Sequence, residues 1–254
     1  EIVPGDPLGA YRTQAAIFDE PFADYSAIPP YHVCRLARRD VTVALSGDAG
    51  DEVFAGYRRY RLFANTERLR RLLPEPGRRA LFGTLGRLYP KFDWAPRWMR
   101  ARYTFEELAL NSALGYYRMV CRLQDEQRMA IYSEDMRRQL SGHDPAATIA
   151  AAMDESGTDD PVSRAQYADI KTYLAGNILT KVDRTSMAVS LEVRVPMLDH
   201  EFVEWAATIP SKLKLRSGEG KYILKRALEP FVPHENLYRQ KQGFSTSLAP
   251  HFRV

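Results

Sequence analysis

Few folds accommodate the stretch Val41-Thr42-Val43-Ala44-Leu45-Ser46-Gly47-Asp48-Ala49-Gly50-Asp51-Glu52-Val53. Five apolar or β-branched residues stopped by Ser-Gly predict a strand buried on both faces, the pattern of a parallel sheet covered by helices. A helix is predicted next, because Ser46 and Gly47 can turn the chain while Asp51 and Glu52 put negative charge into a first helical turn. In open α/β sheets ligands sit outside the carboxyl ends of the strands, which puts Asp48 and Asp51 where chemistry is usually done. Carboxylates repel a phosphate directly, but they can hold one through Mg²⁺, which takes one or two carboxylates and leaves its other positions to water and phosphate oxygens. A helix that merely carries N-terminal acids is the alternative, and these residues alone leave both open.

Around this turn the sequence predicts helices. One short helix fits Tyr11 to Phe18, and Ser26 as N-cap with Pro29 and Pro30 in the first turn predicts another from Ala27 to Arg39. Apolar spacing of three and four predicts helices over Val53 to Leu73, Arg78 to Leu88, Phe105 to Leu110 and Leu114 to Leu123, with Thr104 and Glu107 as a capping box and prolines such as Pro74 and Pro90 between them. Met153 to Val162, rich in Gly, Asp and Pro, is expected as an exposed loop. Two helices follow, Ser163 to Ala175 and Asn177 to Ser190, then a loop entered at Arg194-Val195-Pro196. Asp199 is expected to cap a helix through Ala207, and Gly218-Glu219-Gly220-Lys221 precedes another running to Leu228. Lys181, Asp183 and Arg184, with Glu192, Arg194 and Asp199 nearby, fit an ion-pair network pinning loops to a helical core. Lys221 differs, because a glycine-flanked loop before a helix lets its ammonium reach an anion; an ordinary surface lysine is the alternative.

Composition narrows the class further. Apolar residues at 45% and charged residues at 27% of 254 fit a globular chain and neither a disordered nor a fibrous one. No apolar run approaches a bilayer-spanning length and no signal segment opens the chain, so a cytoplasmic location and no membrane partner are expected. Cys34 and Cys121 lack metal-ligand spacing and read as packed thiols, and the five histidines form no zinc-binding pair. A net charge of +4 would suit an anionic substrate. Arg68, Arg70, Arg71, Arg78 and Arg79 read as solvated helix faces, and without interleaved aromatics they do not point to nucleic acid. An opening Glu1 and a closing Val254 suggest a piece of a longer protein.

Four motifs taken in order, Leu45-Ser46-Gly47-Asp48-Ala49-Gly50-Asp51-Glu52-Val53-Phe54-Ala55-Gly56-Tyr57, Lys181-Val182-Asp183-Arg184-Thr185-Ser186-Met187-Ala188, Leu191-Glu192-Val193-Arg194-Val195-Pro196-Met197-Leu198-Asp199 and Gly220-Lys221, closely resemble the synthetase domain of glutamine-dependent asparagine synthetases. The resemblance covers essentially the whole chain, as one partial synthetase domain over residues 1–254. Pro21 to Pro29 and Leu88 to Pro96 look most like the bacterial branch associated with exosortase and exopolysaccharide systems. The family implies an α/β fold of the ATP-pyrophosphatase kind, a parallel sheet with a long, mostly helical C-terminal portion. It implies ATP and Mg²⁺ as cofactors, aspartate as the default carboxylate substrate and ammonia from a glutaminase domain in the same chain, with a homodimer as the assembly to look for. By this resemblance Ser46 and Gly47 contact the nucleotide, Asp48 serves acyl-adenylate formation and Asp51 is a Mg²⁺ ligand. Lys221 neutralises phosphate charge, and Glu192 lies close to the reacting centre.

The departures matter as much. The family's pyrophosphate loop, Ser-Gly-Gly-x-Asp-Ser, does not occur in these residues, nor does the glutaminase domain with its terminal cysteine, for which neither Cys34 nor Cys121 can substitute. An inactive binding or scaffold piece, or an amidotransferase acting on an exopolysaccharide-linked carboxylate, are therefore the alternatives to a synthetase. Ala49 stands where related sequences commonly have glycine, a change the turn tolerates if its φ is negative.

Overall fold

Short helices dominate the computed structural model, which describes residues 7–90 and 102–239. In chain order the elements are α1 (Pro7–Ile17), α2 (Ile28–Ala37), β1 (Val43–Leu45), α3 (Gly50–Val53), α4 (Arg58–Leu72), α5 (Glu75–Leu88), α6 (Arg102–Ala109), α7 (Ser112–Val120), α8 (Asp125–Ile131), α9 (Glu134–Gln139), α10 (Pro145–Glu155) and α11 (Pro161–Asp169). A π-helical segment (Ile170–Leu179) leads into α12 (Thr180–Met187), β2 (Glu192–Arg194), α13 (His200–Thr208), α14 (Ser211–Lys214), α15 (Tyr222–Leu228) and α16 (His234–Tyr238). They divide into two compact units, Glu1–Gly56 with Ile170–Val254, and Tyr57–Asp169.

The first, discontinuous unit holds the sheet. β1 pairs in parallel with β2, Val43 opposite Glu192 and Leu45 opposite Arg194, which fits the α/β class. The sequence hides β2 because a three-residue strand with charged ends has no apolar alternation; the expected loop at Arg194 is instead bonded to β1, Glu192 N–H to Thr42 O at 2.9 Å and Ser46 N–H to Arg194 O at 2.8 Å. The expectation of a strand buried on both faces is corrected: Val43 is 40% and Leu45 73% exposed, since among the described residues β2 is the only strand beside β1. Asp24, not Ser26, caps the short turn before α2, accepting from Ser26 N–H at 3.0 Å, while Pro29 and Pro30 enter the helix's first turn as expected. Ala49, Val53 and Phe54 of the turn and α3 pack with Leu174 and Ile178 of the π-helical segment and Ala206 and Ile209 of α13 and its end. That packing explains why the break expected near Gly176 is absent: the looser π spacing carries the helix through while Leu174 and Ile178 stay in the core. Asp199 caps α13 as expected, accepting from Phe202 N–H at 3.1 Å.

The second unit corrects more. Arg70 and Arg78 are not solvated; they are 7% and 5% exposed. Arg70 donates to Glu67 and, at 2.8 Å, to Glu107 O, while Arg78 donates to Leu108 O at 2.5 Å and to Leu110 O, so both satisfy the carbonyls ending α6. Thr104 lies inside α6 and forms no capping box, and the Glu107 carboxylate stands 3.9 Å from Arg70 instead. Met153 is 1% exposed on α10, which shortens the expected loop to the residues between Glu155 and Pro161. At the centre the Asp169 carboxylate accepts through Oδ2 from Arg59 Nη2 at 2.7 Å, Tyr60 hydroxyl at 2.5 Å and Tyr116 hydroxyl at 2.7 Å. Burial, reinforced by the Asp169 charge, pushes both tyrosine hydroxyls well above their ordinary range and keeps them as donors. Among the described residues no helix is long and apolar enough to cross a membrane.

Candidate active site

The turn after β1 is built from its own backbone and two short side chains. Ser46 Oγ–H donates to Asp48 Oδ2, and Asp48 N–H donates back to Ser46 Oγ at 3.3 Å, so the serine folds the aspartate over the glycine between them. Ala49 then takes φ 64°, the left-handed conformation, so the condition under which the turn was expected to tolerate it, a negative φ, is not met. Its methyl is buried at 2% exposure in the core cluster, and this packing offsets the steric cost, about 1–2 kcal/mol, of an L-residue there. α3 starts immediately and carries Asp51 and Glu52 in its first turn, as the sequence indicates. Glu52 is only 1% exposed, so of the two acids Asp51 is the one facing outward.

Lys221 arrives from the far end of the sequence. Its own φ is 56°, and its N–H donates to Phe54 O at 2.9 Å, which hooks the Gly218-to-Lys221 loop onto the end of α3. The ammonium lies 3.2 Å from Asp51 Oδ1, with the two side chains 28% and 21% exposed. Two residues that the sequence nominated separately, a metal-ligand candidate and a phosphate-neutralising lysine, thus share one lip of the turn. Glu192 stands apart from this pair in its contacts: it lies on β2 and its carboxylate accepts from Arg194 Nε at 2.8 Å, both side chains well exposed.

A second polar cluster supports the same unit. Lys181 on α12 donates to Asp24 Oδ2 at 3.1 Å and Ser26 Oγ at 2.8 Å, the loop-pinning role its neighbours in sequence suggested. Burial would raise the Asp24 carboxyl, but hydrogen bonds from Ser26 and the charge of Lys181 outweigh it and hold the group below its ordinary value. Cys34 is buried as a packed thiol, and burial pushes it up, with the Asp48 charge adding to the effect.

Among the described residues no cluster of three or more His, Cys, Asp or Glu side chains is arranged to hold a metal. The carboxylate donors at the turn nevertheless suit Mg²⁺, a hard cation that needs only one or two protein carboxylates when phosphate oxygens complete its shell. Two further residues belong to this lip, Gly56 and Gly220, whose bare Cα atoms face Asp51, Lys221 and each other's loops. Both lie inside the motifs that carry the family resemblance, Gly56 in the first and Gly220 beside Lys221 in the fourth.

Comparison with known proteins gives a consistent answer. The family described as asparagine synthase matches residues 1–253. The glutamine-hydrolysing asparagine synthetase 1 of Bacillus subtilis is 36% identical over 234 residues, covering 89% of this chain and 34% of that protein. A putative glutamine-hydrolysing asparagine synthetase of Mycobacterium bovis is 37% identical over 230 residues, covering 89% and 33%. The chain thus spans about a third of the length of these relatives. No solved structure matches it.

Proposed function

Because the chain belongs to the asparagine synthase family, we propose that it is part of the synthetase portion of a longer ligase that activates a carboxylate with ATP and amidates it with ammonia. Aspartate is the proposed acceptor, in keeping with the names of the relatives, and the cytoplasm, where ATP and aspartate meet, is the proposed setting. Of the two stretches that suggested a narrower branch, Leu88-to-Pro96 lies largely outside the described residues and Pro21-to-Pro29 lies within them, and the relatives compared above carry no name from that branch.

The observation that carries this reading is the Asp51–Lys221 pair at the lip of the Ser46-Gly47 turn. In the proposed reaction a carboxylate oxygen of the acceptor attacks the α-phosphorus of ATP and pyrophosphate departs. Ammonia then attacks the acyl carbon, loses a proton and expels AMP. Negative charge therefore grows on the departing pyrophosphate. Lys221 has three ammonium donors and spends one on Asp51, leaving others for phosphate oxygens as that charge develops. Asp48, fixed by Ser46, orients the acceptor side, and Ser46 and Gly47 give the nucleotide an approach without bulk. Asp51 would hold Mg²⁺, which when bound supplies charge neutralisation to the phosphates. Glu192 is retained as a candidate beside the acceptor, through its place on the strand paired with β1.

The test is aspartate-dependent exchange of pyrophosphate into ATP by the full-length protein. Asp51→Asn is expected to weaken exchange in a way that extra Mg²⁺ partly restores, and Lys221→Ala and Asp48→Ala to lower it about a hundredfold. Wild-type rates in all three variants would overturn the proposal. The 254-residue chain alone is expected to make no asparagine and to hydrolyse no glutamine.

A further inference from the structure

Between the Lys221 loop and the turn there is no room for a single extra carbon at two places. A Cβ on Gly56 would fall 2.0 Å from Asp51 Oδ1 and 2.5 Å from Lys221 Cε. A Cβ on Gly220 would fall 2.3 Å from Ala55 O and 2.9 Å from Gly56 Cα. Real Cβ atoms do not approach other atoms so closely, so either addition forces something to move. The cause is space and not torsion: the positive-φ glycines of the described residues are Gly142, Gly157 and Gly218, while Gly56 and Gly220 have backbones an alanine could adopt. The two positions divide the work. Gly220 lets the lysine loop lie edge-on against Ala55 and Gly56, the approach that also makes the Lys221 N–H to Phe54 O bond of 2.9 Å. Gly56, held by its own N–H to Asp51 O at 2.8 Å, clears the space in which the two side chains meet.

We infer that Gly56 and Gly220 are positioning residues for the reaction, keeping Lys221 and Asp51 at ion-pair distance before any substrate arrives. A preorganised cation contributes to the transition state because it does not have to be moved there when charge develops. The inference rests on the function proposed above, in which Lys221 acts on the phosphates.

The experiment is run on the full-length protein with Gly56→Ala and Gly220→Ala, and with Gly77→Ala, where a Cβ meets nothing within 4 Å, as the control. Both site variants are expected to lose pyrophosphate exchange about as Lys221→Ala does, roughly a hundredfold, through kcat more than KM. In the Asp51→Ala, Lys221→Ala background, where both side chains that a Gly56 Cβ would strike are gone, Gly56→Ala is expected to add almost nothing, whereas a glycine needed only for folding would lower activity in either background. Independently of catalysis, acetylation of Lys221 by acetic anhydride in the ligand-free protein, read by mass spectrometry, is expected to rise several-fold in both variants. If a single variant fails to fold, Gly56→Ala in the Asp51→Ala, Lys221→Ala background decides. There the contacting side-chain atoms are gone, and its melting temperature should equal that of the background. Unchanged acetylation and exchange in the glycine variants, or a protein still unfolded in that background, overturns the inference. If Lys221→Ala and Asp51→Asn are themselves silent, it is the proposed function that fails.

Discussion

The Asp51–Lys221 pair of the discontinuous unit and the Arg59–Asp169 pair of the helical unit have similar chemistry and opposite surroundings. Asp169 is 1% exposed and collects donors from a guanidinium and two phenols, whereas Asp51 and Lys221 are 21% and 28% exposed and lie 3.2 Å apart. Burial alone would lower the Arg59 guanidinium, but the charge of Asp169, with Tyr116 and Tyr60 beside it, raises it above its ordinary value. A carboxylate buried in this way, with three donors on one oxygen, holds helices together. A pair left at the surface contributes little to stability and can change partners, which is what a site for anionic phosphates requires.

The largest effect expected from that contrast is in Asp169→Ala. Removing the acceptor leaves a partly buried guanidinium and two fully buried phenols without their shared partner, and the loss should be about 3–5 kcal/mol in denaturant-unfolding experiments. A loss below about 1 kcal/mol would place Asp169 with the exposed pairs and break the comparison.

Next in size is a pH effect confined to the helical unit. Burial raises the Glu107 carboxyl to about 7, against the opposing charge of Arg70. A carboxyl with a raised folded-state pKa binds its proton more tightly in the folded protein than in the unfolded one. Stability from this group is therefore full below its ordinary pKa of 4.5, falls as pH rises toward about 7, and stays low above it. The decline should amount to about 3 kcal/mol, and Glu107→Gln should flatten it. An equally steep decline in the Gln variant would assign the effect to another group.

The smallest expected effect is the most discriminating. Lys221→Ala should change unfolding free energy by no more than about 1 kcal/mol, as for other exposed ion pairs, while exchange falls about a hundredfold. A loss of several kcal/mol would make this pair a structural clamp like the one at Asp169.

The contrast also marks what was legible in the sequence. The turn, the acids in the first turn of α3, the Asp199 cap and the loop position of Lys221 were readable because each is written in a few adjacent residues. Arg70 and Arg78 looked like solvated charges because their acceptors, the carbonyls of α6, are far along the chain and carry no residue-type signature. β2 was missed for a related reason: Glu192 and Arg194 become a strand only through bonds to Thr42 and Ser46. Ala49 shows tertiary packing overriding a local preference, with a buried methyl holding a left-handed turn.

The route of the chain through its two units has a consequence in time. β1 and the Ser46-Gly47 turn are made early, but β2 and Lys221 emerge only after the whole of Tyr57–Asp169. Every contact that completes the site therefore spans that insertion, and closing so long a loop is slow unless the intervening segment has first become compact. The helical unit, whose contacts lie within one continuous stretch, is free to fold as it leaves the ribosome and so shorten the search. The candidate active site would then form after the helical unit, and during synthesis Leu45 and its neighbours on β1 would wait exposed for the strand that pairs with them.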